Sequence, residues 1–225
     1  MPAVFAEKLH KTYFTSAGNV DVLRGIDLSI EAGEFVAIMG PSGCGKTTLL
    51  NCLSGLDKPD KGRVLVDGIA IHELRDRELS EFRARKMGFV FQSFDLIPEF
   101  SALENVELPM LLGGSGPKEA RRAAEAILQK LGMADRLHHR PAQLSGGEQQ
   151  RVAIARAVVH RPAVVWADEP TGNLDSANSK SVMRLLSQLN SEGQTIVVVT
   201  HDPEVAGVAR RRLVMRDGQI VSDER

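Results

Sequence analysis

The fold of this chain is decided by one stretch, Phe35-Val36-Ala37-Ile38-Met39-Gly40-Pro41-Ser42-Gly43-Cys44-Gly45-Lys46-Thr47. Its apolar first part, 35–39, is typical of a strand buried on both faces. The eight residues from Gly40 match the phosphate-loop pattern G-x-x-x-x-G-K-[ST], and residues 46–53 continue as a predicted helix. Glycines allow backbone amides to close around phosphate oxygens, and the N-terminus of the following helix adds partial positive charge. The stretch therefore predicts a strand, loop and helix that bind a nucleoside triphosphate.

The residues of this loop have separate predicted tasks. Lys46 would place its ammonium on the β- and γ-phosphates, and the Thr47 hydroxyl would ligate Mg²⁺. A glycine-rich turn with a chance lysine is the alternative, and the flanking strand and helix argue against it. The candidate nucleotide-binding residues of the loop are Gly40, Pro41, Ser42, Gly43, Cys44, Gly45, Lys46, Thr47 and Thr48.

A second apolar run, 164–167, ends in two adjacent carboxylates, Asp168 and Glu169. Neighbours in a strand point to opposite faces, so Asp168 is predicted to join the Mg²⁺ shell while Glu169 faces a water in line with the γ-phosphate. Two solvated carboxylates at the end of a strand would be the ordinary interpretation in isolation. The phosphate loop in the same chain favours the catalytic one.

Strands and helices alternate along the rest of the chain, which favours an α/β fold with a mainly parallel sheet. Further strands are expected at 22–30, 63–66, 87–91, 163–167 and 195–200, and helices at 117–133, 145–160 and 176–190. We expect one ATPase domain over 1–225, in which a core with an antiparallel N-terminal β part (1–92 and 161–225) receives an inserted helical subdomain (93–160). Pro98 and Pro109 favour loops in the apolar segment 92–112.

Composition excludes several classes of protein. The formal net charge of −1 and the aromatic content of 4% indicate no nucleic-acid partner. The basic run 210–212 is interpreted as a solvated turn. Two cysteines form no disulfide framework, and no apolar stretch approaches the ~18 residues of a membrane span. Any membrane role would come through a partner.

A third motif, Leu144-Ser145-Gly146-Gly147-Glu148, opens another predicted helix. A capping serine followed by glycines leaves backbone amides available to an anion. Here the sequence resembles the ABC ATPase family, whose signature is LSGGQ or LSGGE. The resemblance implies that ATP lies between the phosphate loop of one subunit and the signature of the other in a two-fold homodimer, with Ser145, Gly146, Gly147 and Glu148 acting in trans.

The same resemblance assigns roles to other residues. Tyr13 matches the aromatic residue that stacks on adenine, and Gln92 matches the glutamine that meets Mg²⁺ and links the subdomains. His201 matches the switch histidine, which would act with Glu169 in catalysis. The implied cofactors are ATP and Mg²⁺, and the implied metal ligands are Thr47, Gln92 and Asp168.

Three stretches, 94–98, 102–109 and 168–176, resemble the branch of lipoprotein-releasing, macrolide-exporting and cell-division ATPases (LolD, MacB and FtsE types). This implies an FtsX-like permease as partner and a place on the cytoplasmic face of the cell membrane. We expect residues 94–100 to border a groove for a cytoplasmic helix of that partner. An ABC protein of DNA repair or translation, and a phosphotransferase that uses the phosphate loop alone, are the alternatives. Nothing in the sequence tells what is moved.

Overall fold

Two β-sheets organise the computed structural model, which describes residues 2–16 and 18–225. The strands of this described part are β1 (Pro2–Thr15), β2 (Gly18–Glu31), β3 (Phe35–Met39), β4 (Lys61–Val66), β5 (Ile69–Ala70), β6 (Met87–Phe91), β7 (Val164–Asp168), β8 (Ile196–Thr200), β9 (Arg211–Arg216) and β10 (Gln219–Glu224). The smaller sheet has the order β2-β1-β4-β5 and is antiparallel, as expected for the N-terminal part.

The larger sheet has the order β10-β9-β3-β8-β7-β6. Its strands β9, β3, β8, β7 and β6 run parallel, and β10 returns antiparallel to β9. The carboxyl ends of parallel strands meet at one edge of a sheet, where α/β proteins bind ligands. Gly40, Gln92, Glu169 and His201 each directly follow one of these strands. Topology therefore gathers four of the predicted site residues at one edge.

Helices cover the sheet. They are α1 (Lys46–Leu53), α2 (Asp76–Lys86), α3 (Ala102–Leu112), α4 (Pro117–Lys130), α5 (Gly146–Val158), α6 (Ser176–Ser191) and α7 (Pro203–Ala206) in the described chain. Helices α3, α4 and α5 contact one another and lie between β6 and β7 in the chain order. This is the helical insertion that the sequence predicts.

The core has two layers, one on each face of the larger sheet. Ala37 and Val165 belong to one apolar cluster, whereas their strand neighbours Val36 and Trp166 belong to the other. Successive side chains of a strand point to opposite faces, so this division follows from strand geometry. The first cluster includes residues of α3 to α6, and the second includes α1 and the smaller sheet.

Two expectations from the sequence are wrong. Helix α3 includes Pro109, where the sequence favours a loop. Ser101 and Glu104 form a capping box that starts this helix, and Pro109, which cannot donate a backbone bond, is accommodated in its last turn. Arg211 is not a solvated turn residue: it begins β9, is only 6% exposed, and pairs with Asp223 at 2.8 Å and Glu34 at 2.9 Å. Helix α2 was not predicted from the sequence.

Candidate functional site

The phosphate loop curls around the ammonium group of Lys46. This residue is 8% exposed, and its Nζ donates to the carbonyl oxygens of Gly40 at 2.8 Å and Pro41 at 3.0 Å. Gly45 has a φ of 102°, and a Cβ there would lie 2.8 Å from the Val22 carbonyl oxygen, so only glycine fits. Of the described residues, none caps α1 with its side chain, and the first turn of this helix contains no acidic residue. The first amides of α1 are therefore available to an anion.

Two of the three residues predicted to hold a metal ion, Thr47 and Asp168, are in contact. The Thr47 hydroxyl donates to Asp168 Oδ1 at 3.4 Å, which joins α1 to the end of β7. Burial raises the pKa of Asp168, and the neighbouring charge of Glu169 adds to this effect, while Thr47 and Lys46 oppose it. A hydroxyl and a carboxylate oxygen form the hard donor set that Mg²⁺ prefers.

Glu169 and His201 are in direct contact. Glu169 Oε1 lies 2.7 Å from His201 Nδ1 and accepts the backbone N–H of His201 at 3.1 Å, and Oε2 accepts the Thr200 hydroxyl at 3.1 Å. The Glu169 side chain is 19% exposed, whereas that of His201 is 67% exposed. Glu169 has a left-handed φ of 46°, beyond the end of β7 at Asp168. A backbone turn, and not only strand alternation, therefore sends the two carboxylates to different partners.

Gln92 lies across from the loop that follows Glu169. Its Nε2 donates to Asn173 Oδ1 at 3.2 Å, and Asn173 Nδ2 donates to the Gln92 carbonyl at 3.1 Å. Buried Gln150, from α5, donates to the carbonyls of Phe91 and Pro170. Sequence reasoning assigned no role to Asn173 or Gln150. Their positions depend on β6 pairing with β7, which is not visible in local patterns.

Tyr13 is hydrogen-bonded to the turn that follows α1. Its hydroxyl donates to Asp57 Oδ2 at 2.6 Å, and the Lys11 ammonium binds Asp57 Oδ1 at 2.7 Å. The same ammonium lies 5.1 Å from the centre of the Tyr13 ring, within cation–π range. Lys11 and Asp57 were missed, although Lys11 and Tyr13 are two residues apart in a strand and so share a face.

The signature turn is closed by a capping box. Ser145 Oγ accepts the Glu148 backbone N–H at 3.3 Å, and the Glu148 carboxylate accepts the Ser145 N–H at 2.8 Å and its hydroxyl at 2.9 Å. These bonds lower the pKa of Glu148, and Arg136 pairs with the same carboxylate at 3.0 Å. At Gly147 a Cβ would lie 2.3 Å from Asn178 Oδ1, so glycine lets α5 pack against α6.

Within residues 2–16 and 18–225, no hydrogen bond or ion pair joins the signature turn, 145–148, to the phosphate loop, 40–47. The structure thus brings together the phosphate loop, the carboxylates, Gln92 and His201. It leaves the signature turn with partners from α6 and Arg136.

Comparison with known proteins decides the family. The family model described as "ABC transporter" matches residues 23–172. The uncharacterized ABC transporter ATP-binding protein YknY of Bacillus subtilis is 50% identical over 95% of this chain and 93% of its own length. The chain belongs to the ABC transporter family. It is an ATP-binding protein of that family and an ATPase.

Other relatives of this ABC protein are longer. The macrolide export ATP-binding/permease protein MacB of Marinobacter nauticus is 49% identical over 99% of this chain, which spans 34% of that relative. Among solved structures, the dimeric structure of MJ0796, a bacterial ABC transporter cassette, superposes with a TM-score of 0.90 at 45% identity, covering 99% of this chain and 98% of that one. These matches confirm the predicted fold class and the resemblance to the branch that contains MacB. No helix in the described part of the chain is long and apolar enough to cross a bilayer.

Proposed function

We propose that this ABC protein is the ATP-hydrolysing subunit of a membrane complex for export, lipoprotein extraction or mechanotransmission, and that it works as an ATP-sandwiched homodimer. The proposal rests on two residue pairs that lie next to each other at the carboxyl ends of the parallel strands. Thr47 and Asp168 are 3.4 Å apart on the phosphate-loop side, and Glu169 and His201 are 2.7 Å apart next to them.

In this proposal the phosphate loop amides and Lys46 bind the β- and γ-phosphates of ATP. The Thr47 hydroxyl, the Asp168 carboxylate and the Gln92 side-chain oxygen would hold Mg²⁺, which when bound neutralises phosphate charge. All three are oxygen donors, as this ion requires. Burial and, to a smaller extent, the Glu169 charge raise the pKa of Asp168, and a bound cation would offset both effects.

Glu169 acts on the attacking water. Its carboxylate accepts a proton while the water oxygen bonds to the γ-phosphorus, and the bond from that phosphorus to the bridging oxygen breaks, which leaves ADP and phosphate. His201 binds Glu169 in this structure and orients its carboxylate. We expect its exposed ring to contact the γ-phosphate when a nucleotide binds. Lys46 stabilises the charge that develops on the phosphoryl oxygens.

The signature turn supports the dimer. Ser145, Gly146 and Gly147 begin α5 without any bond to the phosphate loop of their own chain in the described residues. A two-fold dimer would place this turn on the ATP of the partner subunit. MJ0796, which is similar in sequence and fold, is described as a dimer, in one case bound to ADP and Pi.

A surface groove of about 390 Å³ supports the proposal of a membrane partner, because it offers a docking site. It is mostly apolar and lies between α2, β6, the end of α3 and the end of α5. Its lining residues are Leu56, Arg83, Ala84, Met87, Gly88, Phe89, Phe91, Asp95, Leu108, Pro109, Leu112, Arg156, Ala157 and His160. Of the segment 94–100, which we expect to border the docking groove, only Asp95 lines this groove, and Leu96 packs against the core.

We propose that a cytoplasmic helix of an FtsX-like permease docks in this groove, which places the protein at the cytoplasmic face of the membrane. MacB relatives join such a cassette to a permease in one chain, which supports a partner of this kind. The helical part, 93–160, would turn against the core, 1–92 and 161–225, and carry the groove with it. Differential affinity of ATP for the closed state would drive this movement.

Glu169→Gln tests the catalytic proposal. It should bind ATP with near-normal affinity and hydrolyse it roughly 10²–10⁴-fold more slowly, because the amide keeps the shape and loses the basicity. Glu192→Gln, at an exposed carboxylate that caps the C-terminal end of α6 and pairs with Lys130, is the control. Near-wild-type turnover of Glu169→Gln would remove this residue from the role of base.

Leu112→Asp tests the docking groove, with Leu111→Asp as its matched control. Both leucines are exposed at the end of α3, but only Leu112 lines the groove. Leu112→Asp should abolish co-purification with the membrane partner and leave the ATPase rate of the isolated subunit unchanged. Equal loss of partner binding in both variants would place the docking surface elsewhere.

A further inference from the structure

The loop that follows Glu169 grips Gln92 from two sides. Asn173 Nδ2 donates to the backbone carbonyl of Gln92 at 3.1 Å, and Asn173 Oδ1 accepts Gln92 Nε2 at 3.2 Å. One asparagine thus holds both the backbone and the side chain of one glutamine. Neither hydrogen bond belongs to the regular pairing of β6 with β7.

The chemistry of these atoms fixes the direction of both amides. A backbone carbonyl can only accept a hydrogen bond, so Asn173 must present its Nδ2 to Gln92. Its Oδ1 then faces the Gln92 side chain and requires a donor there. Gln92 must therefore present Nε2, which leaves its Oε1 directed away from Asn173. A metal ion requires an oxygen ligand, and Gln92 Oε1 is the side-chain atom that does not bond to Asn173.

The surrounding packing maintains the grip. A Cβ on Gly172 would lie 2.7 Å from Gln92 Nε2, so glycine leaves room for the Gln92 side chain in this position. Below them, Gln150 is 0% exposed and donates to the carbonyls of Phe91 and Pro170, which are residues of the same two segments. The segments are thus joined both at the surface and in the core.

We propose that Asn173 is a positioning residue that turns the side-chain oxygen of Gln92 toward the metal side of the nucleotide site. The inference rests on the proposed role of Gln92 as a metal ligand, and Asn173 itself needs no contact with nucleotide or metal. It also ties the metal ligand to the loop that carries the catalytic Glu169. A movement of this loop would then change the orientation of Gln92.

Mn²⁺ binding in the presence of a non-hydrolysable ATP analogue tests the proposal. Free Mn²⁺ is measured by electron paramagnetic resonance for wild type, Asn173→Ala, Asn173→Asp and Gln92→Ala. Loss of neutral hydrogen bonds should weaken Mn²⁺ binding by about 2- to 10-fold in Asn173→Ala. Asn173→Asp should bind Mn²⁺ no more tightly than Asn173→Ala, because a carboxylate cannot donate a hydrogen bond to the Gln92 carbonyl. Affinity for the analogue without metal should stay unchanged in both Asn173 variants.

The double variant Gln92→Ala/Asn173→Ala provides the decisive comparison. If Asn173 acts through Gln92, its substitution should add nothing to the effect of Gln92→Ala. Gln219→Ala, an exposed amide on β10 at the opposite edge of the sheet, is the control. Asn173 is exposed, so its variants should keep the thermal stability of wild type.

Normal Mn²⁺ affinity in Asn173→Ala together with weak binding in Gln92→Ala would overturn the positioning role alone. Additive effects in the double variant would do the same. Normal Mn²⁺ affinity in Gln92→Ala would show that Gln92 is not a metal ligand, and this would overturn both the proposed metal site and the inference built on it.

Discussion

Two helix N-termini of this ABC protein carry glycines and face predicted phosphate sites, yet they are built in opposite ways. Helix α1 begins after a loop that surrounds the ammonium of Lys46, and within residues 18–225 no side chain caps it. Helix α5 begins with Ser145, whose hydroxyl and amide are both held by Glu148. The N-terminus of α1 thus carries a cation, Lys46, whereas the first turn of α5 carries an anion, Glu148.

The difference shows which end can bind phosphate alone. Uncapped amides, the helix dipole and Lys46 all attract an anion to α1. At α5 the carboxylate of Glu148 opposes an anion, and its pairing with Arg136 reduces that opposition without removing it. We infer that α1 is a complete phosphate site in one chain, whereas α5 contributes only when a partner presents a nucleotide already bound elsewhere.

Ser145→Arg should produce the largest separation between the two helix ends. A long cation at the cap would block closure of the dimer, so hydrolysis should fall by about 10²–10³-fold, the range for loss of one preorganised donor at a transition state. Binding of ATP to the monomer should stay within about twofold of wild type, because α1 is untouched. Isothermal titration and a phosphate-release assay measure the two quantities.

The control is Ser191→Arg, at the far end of α6. If Ser145→Arg weakened the binding of ATP to the monomer as strongly as it lowered hydrolysis, the two helix ends would belong to one site in one chain.

Lys46→Ala should weaken the binding of ATP itself, which Ser145→Arg leaves nearly unchanged. Removing a cation that can form charge-assisted bonds worth about 1.5–3 kcal/mol each should weaken ATP binding at least tenfold. The effect should already appear in the monomer, measured by titration at a protein concentration at which no dimer forms. Lys118→Ala, an exposed lysine of α4, serves as control. Unchanged affinity would mean that the loop amides alone hold the phosphates.

Substitutions of Glu148 should have the smallest effects, on stability. Glu148→Ala removes the capping box and should lower the free energy of unfolding by about 1 kcal/mol, whereas Glu148→Gln can keep the box. The capping bonds lower the folded-state pKa of Glu148, so its contribution is present above the ordinary carboxyl pKa of about 4.3 and is lost as pH falls through the folded value.

Urea unfolding at pH 6 and pH 3 measures this. The advantage of wild type over Glu148→Gln should shrink at pH 3. A constant difference between the two proteins would show that the Glu148 charge takes no part in the cap.

Sequence predicted best the parts whose signal is local. The strand Phe35–Met39 and the helix Lys46–Leu53 lie where the motif placed them. Pro109 misled because the favourable start of α3, the capping box of Ser101 and Glu104, lies eight residues before it. Arg211 misled because its carboxylate partners, Glu34 and Asp223, are distant in sequence.

The site shows the same division between local and distant information. Each residue proposed for ATP can be found from a motif, but the contacts between motifs cannot. The bond from Glu169 to His201 and the grip of Asn173 on Gln92 depend on the neighbour order β8-β7-β6. Apolar runs that alternate with helical segments indicate a parallel sheet, but they do not give the order of the strands within it.

The most direct measurement is the mass of the Glu169→Gln variant in solution with ATP, followed by light scattering on a sizing column. We expect ATP to double the mass, because hydrolysis no longer releases the dimer, and ADP to leave it unchanged. Adding Ser145→Arg to the same chain should return the mass to that of the monomer while ATP stays bound. A dimer that persists with Ser145→Arg, or a Glu169→Gln variant that stays monomeric in ATP, would contradict a site shared between α1 of one chain and α5 of the other.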